Sequence, residues 1–136
     1  MRKTAVVLAF AGVLVSPAVA SNATVKTSLL RGVAQARGTH DMKKLDRKLV
    51  RTIATLRRDR ASTPSGRRGR TLAIDGFTWT LRGVRARRAF EENDSGNIEA
   101  ATRDAIRADR SFRRGANLLR QAGRAFGLHI GKIRGF

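Results

Sequence analysis

The sequence predicts an all-α protein, a small up-and-down bundle of three or four helices with a long C-terminal antiparallel helical hairpin. Three observations carry this. Apolar residues recur at spacings of three and four along most of the chain, which places them on one face of a helix. No segment alternates for long with a period of two, and β-branched residues are sparse. Stretches of Gly, Pro, Ser, Asn and Asp separate the periodic segments.

Residues 1–20 stand apart. Met1-Arg2-Lys3 is basic, and Ala5 to Val15 carries no charge. Pro17 follows, and Ala18-Val19-Ala20 has the small-x-small pattern that signal peptidase reads. The apolar run is too short for an anchor, since spanning takes roughly 20 residues. The expected organisation is a secretory signal peptide over 1–20, a helical bundle domain over 21–127 and a short cationic tail over 128–136. The mature chain is expected outside the cytoplasm, secreted or held at the cell envelope.

The first mature helix is predicted over about 23–37, with Val25, Leu29, Leu30 and Val33 on one face and Gly38 as a left-handed cap. Thr39 or Asp41 starts the second, because either can accept an orphan backbone N–H. Its stripe is Met42, Leu45, Leu49, Ile53 and Leu56. Ala61-Ser62-Thr63-Pro64-Ser65-Gly66 reads as a loop, and Arg67-Arg68-Gly69-Arg70 as loop or frayed helix start. The third helix is predicted over about 71–92, with a seam of Leu72, Gly76, Trp79, Gly83, Ala86 and Phe90. After a break at 93–96, Asp94 or Ser95 caps the fourth and longest helix. Its seam runs Ile98, Ala101, Ala105, Ala108, Phe112, Gly115, Leu119, Ala122 and Phe126, a coiled-coil-like face. At 1.5 Å per residue this helix is roughly 45 Å long.

Glycine inside a helix costs about 1 kcal/mol against alanine, so Gly76, Gly83 and Gly115 on the seams imply close helix approach. Folding the last two helices about Asp94 pairs residues whose numbers sum to about 188. Gly76 then faces Phe112, Gly83 faces Ala105, Leu72 faces Gly115 or Ala116, and Trp79 faces Ala108 or Asp109. Large meets small in most layers, as dense packing requires.

The 136 residues hold 29 Lys and Arg against 10 Asp and Glu, a formal charge of +19. Only Arg2 and Lys3 lie in the leader, so the mature chain keeps about +17. A GC-rich genome accounts for arginine over lysine but not for the shortage of acids. Such a charge costs self-repulsion and attracts polyanions. With 41% hydrophobic residues the chain is too apolar for a disordered polybasic tail. It has no cysteine, hence no disulfide, thiolate nucleophile or thiolate metal ligand.

His40 and His129 are far apart and lack a second strong ligand at helical spacing, so no metal site is expected. Residues 91–102 echo an EF-hand loop, with oxygen-bearing side chains at positions 1, 3 and 5, Gly96 at 6 and Ile98 at 8. They depart from it in Glu91 at position 1 and Thr102 at position 12. A helix corner is the plainer reading. No nucleophile-elbow, Walker or zincin motif occurs. The acids have neighbouring partners: Glu99–Arg103, Asp109–Arg113, and Arg87 and Arg88 with Glu91 and Glu92. An enzyme is therefore not expected, nor is a cofactor.

The basic residues remain as candidate anion-binding groups. Lys44, Lys48 and Arg51 share a face of the second helix, with Arg47 and Arg58 near it. Arg82, Arg85 and Arg88 lie three apart on the third, with Arg87 beside them. Arg103, Arg107, Arg110 and Arg114 form a stripe on the fourth, extended by Arg120 and Arg124. Taken singly, each stripe reads more simply as the ordinary solvated face of an amphipathic helix. Trp79, Phe90, Phe112 and Phe126 fall on seams and are expected in the core. That leaves no stacking platform for bases and argues against single-strand or sequence-specific nucleic-acid recognition. The tail could insert weakly at an anionic lipid surface. The alternative is that it folds back, with Ile130, Ile133 and Phe136 covering the bundle end. The leading expectation is a non-catalytic binder of anionic polymers or surfaces. The alternatives are a structural or protein-interaction helical module with an exposed apolar patch, and a cationic membrane-active effector. The ligand and oligomeric state are not legible.

Overall fold

Three side-chain caps set the helix starts. Asp41, Thr63 and Asn97 each accept the backbone N–H three residues on, from Lys44, Gly66 and Ala100. This satisfies one orphan donor of each first turn. The structure, a computed structural model, describes residues 17–133, with side chains from Asn22. These form four helices: α1 (Pro17–Gly38), α2 (Met42–Arg58), α3 (Pro64–Glu91) and α4 (Ile98–Ala125). The basic and apolar stretches behind the signal reading, and Phe136, lie outside the described residues. No helix among those described is long and apolar enough to cross a membrane.

The core draws one stripe from each helix. Val25, Leu29, Val33 and Ala36 come from α1, and Leu45, Leu49, Ile53 and Leu56 from α2. Ala73, Phe77, Leu81 and Val84 come from α3, and Ala108, Phe112, Leu119 and Ala122 from α4. Successive helices pack antiparallel. α3 packs most extensively on α4, and also on α2 and α1. It therefore buries two faces. Gly76, Thr80 and Gly83 approach α4, while Phe77 reaches Gly32 of α1.

Several expected boundaries move. α1 runs through Gly38, which is not left-handed; positive φ occurs at Gly96 and Gly127. Leu30 is 43% exposed, one helical step off the Val25–Leu29–Val33 face. α3 starts at Pro64, seven residues earlier than predicted, because proline is favoured in a first turn where its missing N–H costs nothing. Ser65 to Arg70 are consequently helical. α3 and α4 are equally long at 28 residues. Asn97, not Asp94 or Ser95, caps α4. The Asn93 side chain accepts from Ser95 N and Oγ, and Ser95 Oγ accepts from Asn97 N. Together these bonds close the corner.

The hairpin register also differs. A Cβ on Gly76 would meet Leu119, one on Gly83 would meet Phe112 and one on Gly69 would meet Phe126. Each pair sums to 195 rather than 188, a slip of one heptad in the partner. The slip preserves the seam and gives every one of these three glycines a large side chain. The 188 register would have opposed Gly83 to Ala105. In the observed register Glu91 lies level with Asp104, so the first turn of α4 has no α3 residue opposite. Ile98 is accordingly 81% exposed.

Past α4 the chain reverses at Gly127 (φ 68), where Leu128 N donates to Gly123 O and Gly127 N to Arg124 O. This pair of bonds caps a helix through a left-handed glycine. Ile130 and Ile133 are buried, and Arg37 Nε donates to Lys132 O at 3.0 Å. Residues 128–133 thus fold back onto the bundle rather than project from it.

Candidate anion-binding clefts

The basic residues considered as anion-binding groups fall into four environments. The first is structural. Arg85 Nε and Arg88 Nη1 both reach Asp46 Oδ2, at 3.1 and 3.4 Å, tying α3 to α2. The Asp46 side chain is only 13% exposed. Arg88 also meets Glu92, Arg87 meets Glu91, and Arg113 meets Asp109. The expected Glu99–Arg103 pair does not form. Arg70, half-buried, donates from Nε to Leu56 O and from Nη2 to Arg57 O, both at 2.7 Å, fastening α3 to the end of α2. Arg85 and Arg88 are therefore largely committed to the fold.

The second environment lies between α3 and α4. Arg82 and Arg114 bring their guanidinium carbons to 4.5 and 4.3 Å from the centre of the Trp79 ring. Both distances lie well within cation–π range. Trp79 also lines an open cleft of about 480 Å³ with Arg103, Ile106, Arg107, Arg110 and Ser111. All five of these arginines are exposed, and no carboxylate lines the cleft. Trp79 is half-buried, so its assignment to the core is corrected. Its position on the seam facing α4 was legible, but its place at the edge of that seam depends on how the helices are rotated. Phe90 is likewise 36% exposed, with Arg87 5.3 Å from its ring centre.

The third lies between α1 and α2. Ser28, Arg31, Gln35, Lys48, Arg51, Thr52 and Thr55 line a cleft of about 230 Å³. Helical spacing puts Lys48 and Arg51 on one face of α2 but does not bring that face to α1, and α1 shows no basic stripe that would mark Arg31. Lys44 lies outside this cleft; its backbone N–H serves the Asp41 cap. A further cleft of about 420 Å³ brings Arg68 and Arg124 together with Ser65, Leu72, Gln121 and Ala125. Neither of these clefts has a carboxylate among its lining residues.

The EF-hand echo resolves into a corner whose first candidate ligand, Glu91, is held by Arg87 at 2.9 Å. Among the described residues no group of three or more His, Asp or Glu is placed to hold a metal ion. Comparison with protein-family models, with curated proteins and with solved structures gives no match.

Proposed function

We propose that this chain is a non-catalytic, extracytoplasmic binder of anionic polymers, and that the α3/α4 cleft is its contact surface. The observation that carries the reading is the Trp79 cluster. Three exposed arginines of α4, Arg103, Arg107 and Arg110, line one concave surface with Trp79 and no carboxylate, and Arg82 and Arg114 lie over the same ring. Guanidinium groups bind phosphate and sulfate bidentately, and several diffuse contacts release counterions from a polymer. A concave cleft between helices suits a flexible chain better than a planar lipid surface. The arrangement carries no fixed constellation for stereochemical selection, so affinity should follow charge density.

The folded-back tail supports this reading over a tail-driven membrane effector. Ile98 and Ile106, the exposed apolar residues of α4, favour a helix-docking module, but Ile106 lines the same cationic cleft. The test is binding to duplex DNA, a sulfated polysaccharide, and anionic and neutral vesicles, with salt from about 50 to 200 mM. Polymer binding that persists near physiological salt and exceeds vesicle binding supports the proposal. Equal loss to all anions by the upper salt concentration contradicts it.

A further inference from the structure

The α1/α2 cleft differs from the Trp79 surface in being small, polar and organised by hydrogen bonds. Ser28 Oγ donates to Asp59 Oδ2 at 2.6 Å, Thr52 Oγ1 to Gln35 Oε1 at 3.1 Å, and Lys48 Nζ to Thr39 Oγ1 at 3.0 Å. Each pair of residue numbers sums to 87, so the three bonds are rungs of one antiparallel register. Gly32 permits this approach, since a Cβ there would come 2.7 Å from Thr52 Cγ2 and would also meet the Phe77 ring. Thr52 is 9% exposed and forms the floor.

Arg31 takes part in no rung. It lies between the Ser28 and Gln35 rungs, on the same face of α1, with Lys48 and Arg51 one turn apart across the seam. None of these three cations forms an ion pair among the described residues. Asp59, a carboxylate at this end of the seam, accepts from Ser28 Oγ. Gln35 has its amide oxygen turned to Thr52, which leaves its NH2 as a donor. The Thr55 hydroxyl adds another.

From this placement we infer that the α1/α2 cleft is a discrete site for one phosphate-sized tetrahedral oxyanion, bound by Arg31, Lys48 and Arg51 with Gln35 and Thr55 as neutral donors. The inference rests on the reading of the chain as an anion binder, but on residues that the Trp79 surface does not use. Three cations around one pocket more than offset the two charges of a phosphate dianion, and planar guanidinium forks fit its oxygen pairs. Free phosphate and a terminal phosphomonoester share this chemistry.

The test is calorimetric titration of the purified protein with inorganic phosphate and, separately, with glycerol phosphate, at fixed ionic strength set by chloride. One site per chain is expected for at least one of the two. Binding of inorganic phosphate assigns the free anion. Binding of glycerol phosphate alone assigns an ester end group. The R31Q/R51Q variant should weaken that binding at least about tenfold, since each exposed guanidinium contributes a charge-assisted bond. Both side chains are exposed, so the variant should keep its helical circular dichroism. It should also keep the Trp79 fluorescence response to a sulfated polysaccharide, which reports the other cleft. Conversely, R103Q/R107Q should weaken the polymer response and keep the phosphate site. No heat with either ligand, or binding unchanged in R31Q/R51Q, would overturn the inference while leaving the polymer reading standing.

Discussion

Phe112 fills the space that a side chain at Gly83 would occupy: a Cβ there would lie 2.8 Å from Phe112 Cδ1. The same relation recurs one heptad away, where a Cβ on Gly76 would lie 2.8 Å from Leu119 Cγ. The hairpin is therefore locked by glycines of α3 received by large side chains of α4. This pair carries the Trp79 cleft, lined by Trp79 of α3 and by Arg103, Arg107 and Arg110 of α4, with Arg82 and Arg114 over the Trp79 ring.

Glycine substitutions should change sign with position. A Cβ on Gly115 would lie 2.9 Å from Gly76 O and Thr80 N, backbone atoms that cannot rotate away. Overpacking costs about 1–3 kcal/mol, against roughly 1 kcal/mol gained in helix propensity. G115A should therefore lower Tm by several degrees. Gly38 has nothing within 4 Å of its Cβ position and lacks a positive φ. G38A should instead raise Tm, by about 0.5 kcal/mol in stability. Thermal unfolding followed by circular dichroism checks both.

Asp46 should matter far more than Asp109. D46N leaves two arginines without their carboxylate, one with a buried Nε that already lacks a partner. The expected loss is about 1–2 kcal/mol. D109N breaks the pair with Arg113, whose side chain is 78% exposed, and should change stability by less than about 0.5 kcal/mol. Urea unfolding of the two variants gives the comparison.

The Asp41 carboxyl is held below its ordinary range, chiefly by the hydrogen bond from Lys44 N. A carboxylate whose folded pKa lies below the unfolded value stabilises the fold above the unfolded pKa, about 3.9 for Asp. That contribution is lost as pH falls through the folded pKa. Acidification below about pH 4 should therefore lower Tm more in the native protein than in D41N, whose side chain still caps but does not ionise. Parallel Tm-versus-pH curves for the two proteins would contradict this.

Ile130 is 4% exposed and sits where a Cβ on Gly123 would lie 2.8 Å from its Cδ1. I130A should cost about 2 kcal/mol, the lower end of the range for a buried isoleucine. Polymer binding should be unchanged. Lost binding with the fold intact would instead make the tail part of the binding surface.

Much of the bundle is legible in the residues. The α2 stripe from Leu45 to Leu56 is buried as its spacing requires, and seam glycines mark the α3/α4 contact. The register is not legible from that pattern, because a seam repeating every seven residues matches equally well after a slip of seven. What decides it is the fit of Phe126, Leu119 and Phe112 onto Gly69, Gly76 and Gly83, once α3 is extended back to Pro64. The second apolar face of α3, Ala73-Phe77-Leu81-Val84, has a clear 4, 4, 3 spacing. It is masked because the glycine seam beside it is read first. Of the basic stripes, helical spacing finds the members but not their neighbours. Arg85 and Arg88 look equivalent to Arg82 until Asp46 arrives from α2. Arg31 becomes visible only when α1 is laid against α2.

The measurement that bears most directly on the polymer reading is Trp79 fluorescence, since this is the only tryptophan in the chain. The protein would be titrated with a sulfated polysaccharide at several salt concentrations, beside R103Q/R107Q. A saturable Trp79 response is expected, with log K falling linearly as log salt rises. The double variant should show a shallower slope by about one to two contacts and weaker binding throughout. A native response that is absent, or a slope identical in the variant, would contradict the assignment of the α3/α4 cleft as the polymer site.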